Sequence, residues 1–416
     1  MPRSPSLRRK HFIAGTAAAL GLRTGARRAI AEPVPAARIE LGNAVFLREA
    51  WRELYGKSIG IITNQSGVTA SLESVVDAVQ RHGSIRLKAI YAPEHGFRGD
   101  RNAGAAISSY VDPQTHLPVY GLYGPQRHPS AEMLDGVDVL AFDIQDVGSR
   151  AYTYISTMAY AMQSAKQFNK EFWVFDRPNP IGGTVEGPVL EPRYASFIGL
   201  YPIAMRHGMT VGELAMLFND HFDIGARLKV VRMRDWHHGM IWPDTGLQWV
   251  QTSPNIPDWQ TTFVYPGTGL LDSMGVNNGS GWTKPFFLAG ALGIDATRLA
   301  DRLNRRDLPG VWFRPIVWSP LAGFWKDREF SGVELTVFDP RRFLAVRSAV
   351  EILVAVRELS PRTLTLDHVA EIDRDWGTDT TREALLQGKS VVEILDAWSE
   401  GVERFAALRQ RYVLYP

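Results

Sequence analysis

The chain has 416 residues, 45% of them apolar, which is enough to bury a sizeable core and suggests two domains. It contains no cysteine, so disulfides, thiolate metal sites and thiol nucleophiles are excluded. The formal charge of +2 depends on the first 31 residues, which carry seven basic and no acidic side chains. Without these residues the chain has 39 basic and 44 acidic side chains, a net charge of −5. It therefore lacks the excess of basic residues that nucleic-acid binding requires.

The N-terminal segment has the pattern of an export signal. A basic region precedes a short apolar run at residues 12–22, and an Ala-Ile-Ala sequence ends at Ala31. The apolar run is too short to span a bilayer, and Arg8 and Arg9 resemble a twin-arginine signal. We expect residues 1–31 to be removed on export to the periplasm or the medium, which leaves a mature chain without a membrane anchor. The alternative is an uncleaved basic tail on a cytoplasmic protein.

Apolar runs alternate with amphipathic helices in the first half of the mature chain. Buried strands are predicted at residues 59–63, 87–90, 137–142 and 172–175. Apolar residues at helical spacing predict helices over residues 71–82 and 152–168. This alternation is typical of an α/β fold with a Rossmann-like, mainly parallel sheet covered on both faces. No Gly-rich dinucleotide motif follows the first strand, and we expect no cofactor.

The second half has short strands, long loops rich in Pro, Gly and Trp, and further helices. Its predicted strands are 228–233, 311–317 and 332–338, and its predicted helices are 296–305, 344–359 and 391–411. We therefore divide the mature chain into a Rossmann-like catalytic domain, 38–222, and a smaller α/β domain, 223–416. The smaller domain contains a Gly/Trp-rich substrate loop, 259–287, and the active-site cleft is expected between the domains. Thr210 and Glu213 form a capping-box pattern, so we interpret Glu213 as a helix cap.

Dense polar clusters follow the four predicted strands of the first half. They begin at Asn64, Glu94, Asp143 and Asp176. Because the carboxyl ends of parallel strands meet at one edge of a sheet, where open α/β folds bind ligands, we expect a site at this edge.

Five motifs carry these clusters. They are T-N-Q-S-G at 63–67, P-E-H-G-F-R-G at 93–99, F-D-I-Q-D-V-G-S-R at 142–150, D-R-P-N-P-I-G-G at 176–183 and R-H-G-M-T-V-G-E at 206–213. In sequence and order they resemble the bacterial exo-β-N-acetylmuramidases, NamZ-like glycoside hydrolases formerly catalogued as a domain of unknown function. The resemblance extends from about residue 41 to the C-terminus. It implies an exo-acting glycoside hydrolase that releases terminal N-acetylmuramic acid, or a related N-acetylated sugar, from peptidoglycan fragments or muropeptides.

Cleavage of a glycoside requires a proton donor and a second carboxylate that acts as base or nucleophile. We predict that Glu94 is the donor, because a Pro/Gly-framed turn can half-bury it and raise its pKa. Asp143 and Asp146 are the catalytic candidates for the second carboxylate. Asp143 and Asp176 are alternatively buried anchors for loops, with Asp176 paired to Arg177.

Other motif residues are predicted to bind substrate. Contacts to sugar hydroxyls or the N-acetyl group are assigned to Asn64, Tyr152 and Tyr154, and contacts to a carboxylate to Arg98, Arg150 and Arg206. The substrate-binding set is completed by His95, Asp176, His207, Asp272 and Lys284. Each of the two histidines is equally well interpreted as structural. His95, Asp100 and His207 lack the spacing of metal ligands, so no metal site is predicted.

The substrate loop departs from the family pattern. Asp272 and Lys284 stand where relatives usually have Glu and Arg. Since Arg binds a carboxylate bidentately and Lys does not, recognition of the lactyl carboxylate of muramic acid is expected to differ. Trp259 and Trp282 are candidates for stacking on a sugar ring, with core packing as the alternative for each.

Three functions fit these observations. The first is the exo-muramidase, the second is the same chemistry on another sugar, and the third is a non-catalytic periplasmic sugar-binding protein. The intact motif around Glu94 favours the two enzymes.

The signal pattern predicts cleavage after Ala31. N-terminal sequencing of the exported protein should therefore begin at Glu32, and replacing Arg8 and Arg9 by Lys should block export. A mature chain that begins at Met1 or Pro2 would contradict this prediction.

Overall fold

The computed structural model describes residues 38–416, which belong to one compact unit. The predicted signal, residues 1–31, lies outside the described residues and stays a prediction. The strands are β1 Ser58–Thr63, β2 Arg86–Ala92, β3 Tyr110–Val111, β4 Pro118–Gly121, β5 Val139–Asp143, β6 Glu171–Phe175, β7 Glu186–Val189, β8 Ala204–Arg206, β9 Arg227–Val231, β10 Leu288–Ala291, β11 Val311–Trp318 and β12 Phe330–Val337. The α-helices are α1 Gly42–Arg48, α2 Val75–His82, α3 Tyr154–Gln167, α4 Val211–Asp220, α5 Thr261–Thr268, α6 Ala296–Asn304, α7 Ala345–Leu359, α8 Val369–Trp376, α9 Thr380–Leu386 and α10 Val391–Arg409.

A seven-stranded sheet forms the centre of the first half, with the strand order β3-β4-β2-β1-β5-β6-β9. All neighbouring pairs are parallel except β3 with β4. The chain leaves β1 towards β2 on one side and returns to the other side of β1 with β5, so the topological switch point lies between β1 and β5. The prediction of an α/β fold with a Rossmann-like, mainly parallel sheet is confirmed.

Apolar side chains on both faces of this sheet are covered. On β1, Ile61 packs into the cluster that contains Phe46 of α1 and Val76 of α2. Its neighbour Ile62 points to the opposite face, into the core that contains Met158 of α3. Successive strand residues alternate between faces, and both faces are buried, so these strands read as continuous apolar runs.

Helix α4 begins with the capping box predicted from the sequence. The Thr210 side chain accepts a hydrogen bond from the Glu213 N–H, and the Glu213 carboxylate accepts one from the Thr210 N–H. Glu213 also accepts a hydrogen bond from the backbone N–H of Leu414 at 2.8 Å. The cap therefore also fixes the C-terminal end of the chain.

The second half is built on a three-stranded antiparallel sheet, β10-β12-β11, and on helices of which α7 has the most buried residues. Its apolar side chains join the core beneath α3 and α4 without interruption. β9 adds to the large sheet beyond residue 222, and the division into domains 38–222 and 223–416 stays a prediction. None of the helices between residues 38 and 416 combines the length and apolar character that crossing a bilayer requires.

The segment 259–287 was predicted as a loop, and this is wrong for its first part, where α5 lies. Its β-branched and aromatic residues and the internal Pro266 are poor helix formers. Packing against α7 overrides this preference: a Cβ on Gly267 would come within 2.1 Å of the Ala345 carbonyl oxygen. Only glycine permits that approach of the two helices.

Candidate active site

The loops at the switch point are linked by hydrogen bonds at the carboxyl edge of the sheet. Thr63 and Asp143, the last residues of β1 and β5, are register partners. The Ser66 side chain donates to Asn64 Oδ1 at 2.6 Å and accepts from the Gln145 N–H at 3.1 Å. These links hold the polar ends of the two strands together, as the sequence predicts.

Glu94 follows β2 at the same edge and is partly buried. One carboxylate oxygen accepts a hydrogen bond from the Gly104 N–H, and the other accepts one from the Thr153 hydroxyl, both at 2.9 Å. Burial and then the nearby charge of Glu94 raise the pKa of Tyr123 to about 12. Glu94 therefore has neutral partners and no basic side chain among the contacts described.

His95 holds the turn that carries Glu94. Its backbone has a φ of 70°, which is uncommon for a residue other than glycine. Its Nδ1 lies 2.9 Å from the Arg101 carbonyl oxygen, which can only accept, so Nδ1 carries the proton. The ring is buried, and its contacts support the structural interpretation of His95.

Three tyrosines line the edge beside Glu94. The hydroxyls of Tyr152 and Tyr154 both donate to Thr252, at 2.8 and 2.6 Å. The ring of Tyr265 on α5 lies edge-on to Tyr152 at 5.7 Å. The buried side chain of Asn64 lies beside the Tyr154 hydroxyl.

Tyr265 is the site residue that sequence reasoning missed. Burial raises its pKa, and so do Tyr152 and the nearby carboxylates of Glu94, Asp375 and Asp146. These carboxylates therefore lie around one phenol, although they come from distant parts of the chain. The only signal in the sequence was the position of Tyr265 within the substrate loop, 259–287.

The two candidates for the second carboxylate differ in their hydrogen bonding. Asp143 is fully buried, with one oxygen 2.6 Å from Nε of Arg177 and the other 3.0 Å from the Asn43 amide. Asp146 Oδ2 accepts from the Gly148 N–H at 2.7 Å, while its buried Oδ1 has no partner among the described residues. Only Asp146 has a free oxygen.

His207 lies beside Asp146. The Met209 N–H donates to His207 Nδ1, which places the imidazole proton on Nε2, 3.3 Å from Asp146 Oδ2. His207 is completely buried. Its Nε2 has no hydrogen-bond partner among the described residues, so His207 contacts Asp146 without a hydrogen bond between them.

Asp176 is an internal anchor. Its carboxylate accepts hydrogen bonds from the hydroxyls of Tyr415 and Thr210 and from the Gly212 N–H, at 2.6 to 2.8 Å. Burial and the repulsion of Glu213 raise its pKa to about 7, against these hydrogen bonds. The expected ion pair with Arg177 is wrong, because Arg177 pairs with Asp143 instead, and no oxygen of Asp176 remains for a substrate.

The three arginines predicted to bind a carboxylate are all engaged. Arg150 donates to the Trp376 carbonyl oxygen at 2.9 Å, and Arg206 donates to that of Ile181 at 2.6 Å. Both are buried, and burial lowers the pKa of Arg150 to about 10. Arg98 pairs with Asp112 at 3.0 Å and alone of the three has a partly exposed side chain.

Asp272 and Lys284 contact other residues of the second half of the chain. Lys284 forms an ion pair with Glu334 on β12. Asp272 is partly buried, and its buried Oδ1 has no partner among the described residues. Burial raises the pKa of Asp272 to about 6, opposed by a hydrogen bond from Trp325. No group of three or more His, Asp or Glu residues between 38 and 416 could hold a metal ion.

Comparison with known proteins identifies the family. Residues 59–260 match the N-terminal domain, and residues 263–415 the C-terminal domain, of the exo-beta-N-acetylmuramidase NamZ. The peptidoglycan beta-N-acetylmuramidase NamZ of Bacillus subtilis is 44% identical over 379 residues, 91% of this chain and 92% of that protein. The chain belongs to the NamZ family and is a glycoside hydrolase.

Solved structures agree with this fold. A DUF1343 family protein from Bacteroides fragilis superposes with a TM-score of 0.85 at 38% identity, over 92% of this chain and all 100% of that one. A second DUF1343 family protein of the same organism gives a TM-score of 0.74 at 26% identity, over 91% of this chain and 99% of that one. The architecture is therefore shared over nearly the whole length.

The raised pKa of Asp272 predicts a pH-dependent stability. The folded state holds the proton of Asp272 more tightly than the unfolded state. The protonated side chain therefore contributes to the free energy of unfolding below about pH 4, and this contribution is lost as the pH rises from about 4 to about 6. Asp272→Asn should abolish this loss and raise the free energy of unfolding above pH 7 by about 1–3 kcal/mol. Urea unfolding across this pH range measures the effect.

Asp301→Asn, at an exposed position of α6, is the matched control. Its free energy of unfolding should depend on pH as that of the parent protein does. An Asp272→Asn variant whose stability follows the same pH curve as the parent would contradict the prediction.

Proposed function

We propose that this protein is an exo-acting glycosidase that releases terminal N-acetylmuramic acid from peptidoglycan fragments, with Glu94 as general acid. The family and the Bacillus subtilis peptidoglycan beta-N-acetylmuramidase support the substrate class. We also propose that the mature chain works in the periplasm or outside the cell, which rests on the signal pattern of residues 1–31 alone.

The position and the hydrogen-bond partners of Glu94 are the observation that carries this proposal. It lies at the carboxyl edge beside the switch point, where open α/β sheets bind ligands. Its hydrogen-bond partners, the Gly104 N–H and the Thr153 hydroxyl, are neutral. A general acid must be able to reach the leaving oxygen, and no basic side chain holds Glu94 in an ion pair among the described residues.

Asp146 is the proposed partner of Glu94. Both carboxylates lie close enough to the Tyr265 hydroxyl to raise its pKa, after the larger effects of burial and Tyr152. Asp146 Oδ1 is buried without a partner among the described residues, whereas both oxygens of Asp143 are occupied. A free carboxylate oxygen can serve as base or nucleophile at the anomeric carbon.

The reaction then follows from these two groups. The Glu94 carboxyl donates its proton to the glycosidic oxygen as the bond from this oxygen to the anomeric carbon breaks. The Asp146 carboxylate stabilises the positive charge that develops on the sugar. Water supplies the hydroxyl group of the released sugar, and its other proton passes to the carboxylate pair and restores the Glu94 carboxyl.

The first test concerns the sugar. Turnover of an aryl β-N-acetylmuramide should exceed that of the corresponding β-N-acetylglucosaminide, because the family is one of N-acetylmuramidases and the two sugars differ only in the lactyl group. Initial rates over a range of concentrations give kcat/KM for both. An equal or reversed preference would show that this protein does not select muramic acid by its lactyl group.

The second test concerns the acid. Glu94→Gln keeps the shape and one accepting oxygen but cannot donate a proton to the leaving group, so kcat on a natural disaccharide should fall about 10²–10⁴-fold. The loss should be smaller for a nitrophenyl glycoside, whose leaving group needs less protonation. Asp146→Asn should lower kcat on both substrates.

Asp143→Asn separates catalysis from folding. It removes one charge of a buried ion pair, which typically costs about 3–5 kcal/mol of stability, so its main effect should appear in denaturant unfolding. A folded Glu94→Gln variant that hydrolyses the natural disaccharide at the parent rate would exclude Glu94 as the acid.

A further inference from the structure

A groove of about 540 Å³ opens between the start of α5, the loop around Lys284 and the strand β12. Its lining includes Trp259, Phe263, Lys284, Phe287, Glu334 and Phe338. The volume is in the range of small-molecule sites, which are typically about 300–1,000 Å³ and combine aromatic walls with a few polar groups.

The groove is separate from the edge cluster around Glu94. Phe263 lines the groove, whereas Tyr265, two positions along α5, packs against Tyr152. Residues two apart on a helix point about 200° apart, so the two sites lie on different sides of α5. Neither Thr153 nor Gly104, which bind the Glu94 carboxylate, lines the groove.

Aromatic side chains are exposed on the outer face of the small sheet. Residues two apart on a strand share a face, so Phe338, which follows β12, continues the face of Glu334 and Thr336. Trp312 on β11 is the register partner of Thr336 and belongs to the same face. Phe338 is 66% exposed and Trp312 57% exposed, so this face offers flat apolar surface to a ligand.

The polar groups of the groove are held in place. Glu334 accepts hydrogen bonds from Lys284 and from Arg314. Burial opposes the ionisation of Glu334, but these hydrogen bonds hold its pKa below the ordinary value. Lys284 has no other hydrogen-bond partner among the described residues, so two of its N–H groups are free for a ligand.

The charges around the groove balance. Asp258, which lines it, accepts hydrogen bonds from the Thr261 N–H and hydroxyl and therefore has a fixed position. Asp258 and Glu334 offset Lys284 and Arg314, so the field selects neither an anion nor a cation. A neutral ligand with a flat apolar face and several hydroxyl or amide groups fits this surface, and an N-acetylated pyranose has those features.

We propose that this groove is a second, non-catalytic saccharide site that holds an N-acetylated sugar of a glycan strand. This proposal takes the class of polymer, the glycan strand of peptidoglycan, from the proposed function, but binding in the groove needs no catalytic step. The groove would retain the enzyme on polymeric glycan while a strand end is processed at Glu94. A single aryl glycoside that occupies only the catalytic site would not need the groove.

Phe338→Ala tests the proposal, because an exposed side chain can be removed without opening the core. Binding to peptide-free glycan strands should weaken about tenfold, the effect of one lost aromatic contact. The kcat/KM for an aryl β-N-acetylmuramide should stay within about twofold of the parent value, since no group at Glu94 is touched. Trp259→Ala should weaken binding in the same way.

Tyr55→Ala is the matched control. Tyr55 is 91% exposed and precedes β1, at the amino-terminal end of a strand of the large sheet. This variant should change neither the affinity for glycan strands nor the kcat/KM for the aryl β-N-acetylmuramide. Cosedimentation with the peptide-free strands and with intact, peptide-bearing sacculi gives the affinities for each variant. Trp259 packs partly against the core, so its variant is also compared with the parent in denaturant unfolding.

Three outcomes would overturn the proposal. Phe338→Ala could bind peptide-free strands as tightly as the parent, could lose only its binding to peptide-bearing sacculi, or could lose aryl-glycoside turnover in parallel with binding. The second outcome would assign the groove to peptide, and the third would make it part of the catalytic cleft. A parent protein that binds glycan strands but does not turn over the aryl muramide would contradict the proposed function alone.

Discussion

The buried ion pair between Arg177 and Asp143 is the interaction on which the edge of the large sheet depends. Arg177 follows β6 and Asp143 ends β5, and Nε of Arg177 lies 2.6 Å from the carboxylate. Arg177 also donates to the Val68 carbonyl oxygen, in the loop after β1, and Asn43 of α1 donates to both Val68 and Asp143. A buried charge without its partner is costly, so these loops have one low-energy arrangement.

The carboxylates at this edge divide by their hydrogen-bond partners. Asp143 and Asp176 have every oxygen engaged by a cation, a side-chain amide, a hydroxyl or a backbone N–H, so they hold loops in place. Glu94 accepts from neutral donors, and Asp146 keeps one oxygen without a partner among the described residues. Carboxyl groups at the same edge therefore have different surroundings, and tertiary packing decides the difference.

The second half of the chain completes the site rather than standing beside it. Thr252 accepts the hydroxyls of Tyr152 and Tyr154, and α5 places Tyr265 against Tyr152. The same helix presents Phe263 to the groove on its other side. The position of α5 therefore controls two surfaces at once, and its close packing on α7 through Gly267 makes that position rigid.

The sequence by itself determined the α/β class, the four buried strands with polar ends, the cap at Glu213 and the family, because apolar periodicity, capping boxes and long motifs are local. It could not determine which polar residue meets which: Arg177 pairs with Asp143 rather than with its neighbour Asp176, and Arg150 and Arg206 bind backbone carbonyls. These partners are far apart in the chain, and only the packed strands bring them together. Tertiary packing also made α5 a helix against the preferences of its residues, because the contact with α7 outweighs a weak local propensity.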